Sequence, residues 1–440
     1  MHAPQPPGRA NSGGLKMFRA LRRDGYRWFW FSGLGMTASQ GVQQLAVAWL
    51  VLDLTDSAGQ LGLVIFAQGV PMAIVSFYGG VLADRYDRRR LLIGAQWATM
   101  VNLFALAFLA GSGLVEVWHV YVSSFGLGVM QAITMPARTA MIRSLVDDED
   151  MANGVALNAV QMHSSRILWP SVAGVLIAFA GIGATLSLSA LCSLAGILCL
   201  LMIRYWNVET PLTPAKGSPF RQMVEGLRFV QDTPQVSTVM KLSLCCGLFG
   251  LAYMNLSPAF AREELELNSS ATGLFIMSMG VGAIVGSALM LVFPVRDAHR
   301  MFIVLTAVFG LNLVLQAVNP WLPVAFVLMA FFGLSNSALV VAGQTFLQVS
   351  VPQAFLGRVI GLWSLAGGLG FVTSLPLGMI GDEFGLRWAI GGAGMLLTVS
   401  VLVVLALSRL AAQAGMRAAV DGGVQVPDLP GQPVGGDRGG

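Results

Sequence analysis

Apolar runs of about 20 residues recur along this 440-residue chain, separated by short polar links. A run of that length matches the ~30 Å hydrocarbon core of a bilayer. The pattern predicts twelve spanning helices, at 28–52, 59–83, 91–113, 117–138, 153–179, 182–204, 237–260, 270–294, 299–318, 321–347, 357–380 and 386–409. Turn residues mark most of the breaks, as in Asp56-Ser57-Ala58-Gly59, Gly111-Ser112-Gly113 and Val318-Asn319-Pro320. The longest break, 205–236, divides the chain into two six-span halves, 28–204 and 237–409. It opens on the Pro-rich PLTPAKGSP and continues as FRQMVEGLRFVQ, an amphipathic pattern that predicts a helix lying on the membrane surface. Residues 1–27 form a polar, basic tail, and half of the last 20 residues are Gly or Pro, so 410–440 are expected to be disordered.

Composition strengthens this reading. The chain is 55% hydrophobic and 11% charged, with mean hydropathy +0.71, which excludes a string of soluble domains. No Asp or Glu occurs between Asp150 and Glu209, between Asp297 and Asp382, or between Glu383 and Asp421. The 52 glycines suit helices that approach closely in lipid. Cys192, Cys199, Cys245 and Cys246 lie inside apolar runs at no metal-ligand spacing and read as small hydrophobes. The net charge of +4 bears on orientation rather than on nucleic acid. With both termini in the cytoplasm, the tails and even-to-odd links hold 23 of the 26 Lys and Arg. Arg262 and Arg387 fall on the opposite side, and Arg166 falls inside a span. The expected location is a multi-pass inner membrane protein. The apolar run from Trp28 is too long for a secretory signal.

A faint repeat accompanies the two halves. A shift of 206 residues brings Thr139 onto Thr345, Ser144 onto Ser350 and Pro170 onto Pro376. Paired six-helix halves are a transporter architecture.

One stretch concentrates charge. In GGVLADRYDRRR, residues 79–90, six of the seven residues from Asp84 to Arg90 are charged. Gly80-Val81-Leu82-Ala83-Asp84-Arg85-Tyr86-Asp87-Arg88-Arg89 resembles the loop 2–3 signature of the major facilitator superfamily, except that Asp87 stands where Gly is usual. VQQLAVAWLVLDLTDSAGQLGL, MPARTAMIRSLV and VPQAFLGRVIGLWSLAGG are similar to the branch of that superfamily with enterobactin and macrolide exporters. The resemblance covers roughly residues 20–410 and implies an all-α membrane protein with the major facilitator fold. It implies that Asp84 faces the positive N-terminus of span 11 near Gly357, holding the cytoplasmic side closed. Gly80 permits close packing there, and Arg85, Arg88 and Arg89 either join the gate or anchor the link in the cytoplasm. A plain anchor needs Arg or Lys but no Asp at a helix end.

Polar residues deep in spans are costly and mark function or interhelical bonding. Arg166 lies roughly 20 Å along span 5. Two readings compete: it lines a substrate cavity with Asn158 and Gln161 of the same helix and binds an anionic group there, or it is a structural hub bonded to neighbouring helices. Its surroundings, RILWPSVAG, only partly match the superfamily's span-5 antiporter signature. Gln40 and Gln44 share one face of span 1. The resemblance places spans 1, 4, 7 and 10 around a central cavity, which brings in Gln131, Asn255 and Asn336. Each is equally an interhelical hydrogen bond. Tyr121, Phe125, Met135 and Trp363 are candidates for its apolar wall, or simply packing.

Carboxylates sit at span borders, so Asp53 is the weak candidate for a proton site, with the proton as a candidate coupling ion. The lone His119 reads as structural, and no nucleotide-binding signature, cofactor or metal site is visible. The expectation is a monomeric secondary transporter, not an enzyme, that exports an amphipathic drug, macrolide or siderophore-like molecule by alternating access. The alternatives are a lipid or lysolipid translocator of the same fold and a receptor that has lost transport.

Overall fold

The computed structural model of the chain describes residues 19–85, 87–146, 150–203, 219–290, 292 and 297–421. Within the helices, the side chains of 76–85, 219–223, 408–421 and several positions between 140 and 167, Arg166 among them, lie outside the described residues. A short 3-10 turn, Arg19–Arg22, leads into α1 (Asp24–Thr55), α2 (Ala58–Arg85), α3 (Arg88–Ser112), α4 (Val117–Leu145) and α5 (Met151–Leu201). The amphipathic α6 (Pro219–Asp232) follows. Beyond it come α7 (Pro234–Cys245), α8 (Ala252–Glu263), α9 (Ser269–Leu289), α10 (Ala298–Val318), α11 (Leu322–Ser350), α12 (Gln353–Phe384) and α13 (Leu386–Asp421).

These helices make twelve spans. α5 bends at Gly181, whose φ of 79° and ψ of 173° suit glycine alone, and so contains two. α7, a π-helical turn at Cys246–Gly250 and α8 together make one. Lipid-facing positions stay apolar, with Phe108, Phe179, Trp388 and Leu402 all strongly exposed. α13 runs to Asp421, past the expected start of the disordered tail at 410. The segment AAQAGMRAAV is rich in Ala and so favours helix despite its polarity. Residues 422–440, most of the expected tail, lie outside the described residues.

α1 and α13 place both described chain ends on one face of the bundle, together with the α2–α3 and α11–α12 links; this is the terminal face. The α1–α2, α12–α13 and α10–α11 links mark the opposite, distal face. Within the N-terminal half α1 packs on α5 and α2 on α4; within the C-terminal half α9 packs on α11 and α10 on α13. Two helix pairs join the halves, α2 with α12 and α5 with α9. Both contacts are backbone-close near the distal face. A β-carbon on Gly62 would overlap the Ser374 carbonyl, and one on Gly174 would overlap that of Ser269. Small residues at such crossings let helices meet without side-chain spacers.

Candidate functional site

The loop signature resolves into local chemistry. Asp87, the residue that departs from the family pattern, is the N-cap of α3. Its Oδ1 accepts from the backbone N–H of Arg89 (2.9 Å) and of Arg90 (3.2 Å). Where glycine would relax the turn, aspartate satisfies two orphan donors instead. Arg89 donates from Nε to the Leu200 carbonyl (3.1 Å) and from Nη2 to that of Leu201 (2.9 Å), tying the start of α3 to the end of α5. A cation on the final carbonyls of a helix is favoured by their orientation. Arg88 is half-buried. The side chains of Gly80, Asp84 and Arg85 lie outside the described residues. Gly357, on the first turns of α12, is exposed, with no described atom within 4 Å of a β-carbon built there. The same holds for Gly361, Gly367 and Gly368. Beside these glycines the terminal half of α12 has no described neighbour, while its other side packs on α6 and α7 and its distal half on α2.

Between the halves lies a cavity of about 270 Å³. Gln40, Gln43 and Gln44 reach it from α1, Gln68 from α2, Gln96 from α3 and Gln131 from α4. Asn255 of α8 completes the set from the other half. Methionines 36, 130, 135, 254 and 279 supply adaptable apolar wall. Primary amides both donate and accept, so this lining suits a cargo with mixed hydrogen-bonding groups. Gln68 Nε2 donates to Gln131 Oε1 at 3.4 Å. Asn255 Nδ2 donates to the Gly370 carbonyl (3.3 Å) and to Ser374 Oγ (3.2 Å), which also ties α8 to α12. Pro258 has no N–H for the Met254 carbonyl, and Ser257 Oγ donates to that oxygen instead at 2.9 Å. With the π-helical turn just before it, this leaves an irregular backbone beside the cavity.

Gln40, Gln44, Gln131 and Asn255 thus meet at one cavity, and Asn158, Gln161 and Asn336 do not. Asn336 is half-buried on α11 away from the lining. Asn158 and Gln161 turn to an arginine the sequence reading passed over. Arg138 is 7% exposed and donates to Gln161 Oε1 (3.1 Å) and to Asn158 Oδ1 (3.5 Å). Its guanidinium lies over the Phe29 ring at 4.5 Å. Of the expected apolar wall only Met135 lines the cavity. Tyr121 bonds Gln60, Phe125 is exposed, and Trp363 Nε1 donates to Ser243 Oγ at 2.9 Å.

The distal face carries ion pairs across and within the halves. Arg262 at the end of α8 pairs with Asp56 (2.8 Å) and Asp53 (3.7 Å) of the other half. Asp53 is largely exposed there, outside the cavity lining. Arg387 pairs with Glu264 at 2.9 Å and donates to the Asn319 carbonyl at 2.6 Å, closing the links of the C-terminal half. The two arginines that broke the charge asymmetry therefore both have partners. His119 Nδ1 accepts from the Glu116 N–H at 3.0 Å and caps α4.

A family model described as transmembrane secretion effector matches residues 16–422. The chain belongs to that family of major facilitator transporters. It is 25% identical over 330 residues to the enterobactin exporter EntS of Escherichia coli O1:K1 / APEC, covering 74% of this chain and 77% of that protein. The enterobactin exporter EntS of Shigella boydii serotype 18 is 26% identical over the same length, with the same coverage of both chains. Two solved transporters share the fold. A bacterial homologue of the human lysosomal transporter Spinster, inward-facing and unoccupied, superposes with a TM-score of 0.66 at 13% identity, over 91% of this chain and 98% of that one. A POT family transporter in complex with a thioalcohol-conjugated peptide gives 0.72 at 11% identity, over 88% and 96%. The secretion effector is thus a multi-pass membrane transporter, and its cavity sits between the two halves that define the fold.

Proposed function

We propose that this secretion effector is a secondary active exporter of an amphipathic small molecule, working by alternating access, with the terminal face in the cytoplasm. The observation that carries the reading is the asymmetry of the half-to-half contact. α2 and α12 are backbone-close at the distal end, while the terminal half of α12 has free space beside it among the described residues. We read that asymmetry as a conformer open on the terminal side of the cavity between the halves. Sidedness rests on the Lys and Arg count, and the bacterial exporters among the relatives support the inner membrane. The amide-and-methionine lining favours a cargo with apolar faces and several hydrogen-bonding groups, and the named relatives are exporters of a small molecule, enterobactin. Arg166 sits on α5 between the lining residues Ser165 and Pro170, which supports a role as cation for an anionic group of the cargo.

The test is a cargo screen in an efflux-deficient bacterial host. Expression of the transporter lowers accumulation of its cargo, and Gln44→Leu raises KM about fivefold for the loss of one hydrogen bond worth about 1 kcal/mol. Arg166→Ala weakens export of anionic cargo more than of neutral cargo. Unchanged accumulation of every amphipathic compound screened sinks the exporter reading.

A further inference from the structure

The distal closure contains an interaction that the sequence reading did not single out. α12 ends at Phe384, and Asp382 lies in its last turn. Its Oδ2 crosses to the other half, 325 positions away in sequence, where it accepts from Ser57 Oγ at 2.5 Å. The same oxygen accepts from the backbone N–H of Gly59 at 3.0 Å, in the first turn of α2. Ser57 Oγ in turn accepts from the Gln60 N–H at 3.0 Å. A carboxylate of one half thus caps the N-terminus of a helix in the other, where unsatisfied N–H groups and the helix dipole favour an anion. Gly59 is required at this contact, because a β-carbon there would lie 2.6 Å from Oδ2.

α2 and α12 run antiparallel, so each has its C-terminal end beside the N-terminal start of the other. The arrangement on the distal face is therefore the counterpart of the one the loop signature implies for Asp84 and the start of α12 on the terminal face. We infer that Asp382 is the distal latch of the transport cycle, a positioning residue that favours the terminal-face-open conformer by capping α2 across the halves. This rests on the alternating-access reading above. The cap can form only while α2 and α12 meet distally, so opening that face forfeits both hydrogen bonds.

The surroundings leave the latch poised rather than locked. Asp53 and Asp56 pair with Arg262 on the same face, and Glu263 follows Arg262 on α8. The cap and the Arg262 pairs favour closure. All of these contacts are near water, so each is modest in strength.

The experiment measures distances between spin-labelled unnatural amino acids in the full-length transporter reconstituted in lipid nanodiscs. One pair, at Leu114 and Trp321, reports the distal face, since both positions are exposed and lie on different halves. The other, at Arg90 and Val349, does the same for the terminal face. Asp382→Ala is expected to raise the distal-open population about fivefold relative to the closed one, with the terminal pair closing in step. Asp382→Asn, which keeps an acceptor for Gly59 but not the charge, gives a smaller shift in the same direction, and Ser57→Ala a smaller one again. This graded order separates a cap from a merely structural contact, which would lower the melting temperature without moving the two faces in opposite senses. If the wild type exchanges between two distances at each face and both Asp382 variants and Ser57→Ala leave the populations unchanged, the latch is overturned and alternating access stands. If the wild type holds one fixed distance at both faces with and without cargo, alternating access itself fails and the latch with it.

Discussion

Arg138 shows how a single residue escapes a sequence reading. It stands where the hydropathy of span 4 ends, and a cation at a span border reads as an orientation anchor. The helix continues to Leu145, so the guanidinium lies inside the bundle rather than beyond it. There it occupies the room left by Gly33, against Phe29, with Gln161 and Asn158 as acceptors. Arg138→Ala leaves the buried Gln161 carbonyl without its donor and opens a void, at an expected loss of about 2–4 kcal/mol. Arg138→Lys restores only part, because an ammonium lacks the planar fork that reaches both amides. Gly33→Ala displaces the same guanidinium and should resemble Arg138→Ala. Thermal melts in detergent check the order wild type above Lys above Ala; equal melting temperatures would count against the hub. The sequence set Asn158 and Gln161 on one helix with Arg166 and read them toward a cavity, with no sign that Arg138 of another helix reaches them. Which side chain fills a given space depends on helix rotation, and spacing along one helix does not supply that.

At the scale of elements, the spans were legible because lipid leaves the backbone little choice: polar groups must be satisfied within each helix, and length is set by the hydrocarbon thickness. What hydropathy does not carry is where a helix departs from regularity. The π-helical turn before Ala252 is inside an apolar stretch, whereas the bend at Gly181 falls in the break expected between spans 5 and 6. The amphipathic α6 was legible as a surface helix, but its partner was not. It lies along the start of α12, with Phe229 stacked on Phe355 at 4.8 Å and Glu225 paired with Arg358 at 3.0 Å. The link between the halves thus grips the end of α12 that has to move when the terminal face closes. The ion pair is partly exposed and is worth under about 1 kcal/mol, so Glu225→Gln is expected to lower turnover no more than about threefold. Glu225→Arg places two cations together and costs more, and the swap with Arg358→Glu recovers most of it. Initial transport rates in proteoliposomes check this; a swap no better than Glu225→Arg would show that the pair does not couple the link to α12.

For the whole molecule, the alternating access proposed above asks one sequence to support two packings, and the pattern of apolar positions does not say which of them is favoured. What the sequence carries is the pair of devices that weight them. Asp84 was visible because a charged cluster in an apolar chain stands out, whereas Asp382 in MIGDEFG reads as an ordinary polar helix end. The two act in opposite senses. In the proposed cycle Asp84, which the family pattern implies faces the start of α12, favours closure of the terminal face, and Asp382 favours closure of the distal face. Asp84→Asn is therefore expected to deepen the preference for the terminal-face-open conformer proposed above. In that conformer the cavity is accessible and its amide lining unchanged, so cargo binding from the terminal side should stay within about twofold. Turnover should fall at least threefold, because each cycle now includes a less favourable closing step, about 0.7 kcal/mol uphill relative to wild type. Equilibrium binding and initial efflux rates on the same protein separate the two. A parallel loss of binding and turnover would place Asp84 in folding or cargo contact, and an unchanged turnover would remove it from the gate. Combining Asp84→Asn with Asp382→Ala weakens both closures at once, and turnover should recover toward wild type because the two conformers are again nearly balanced.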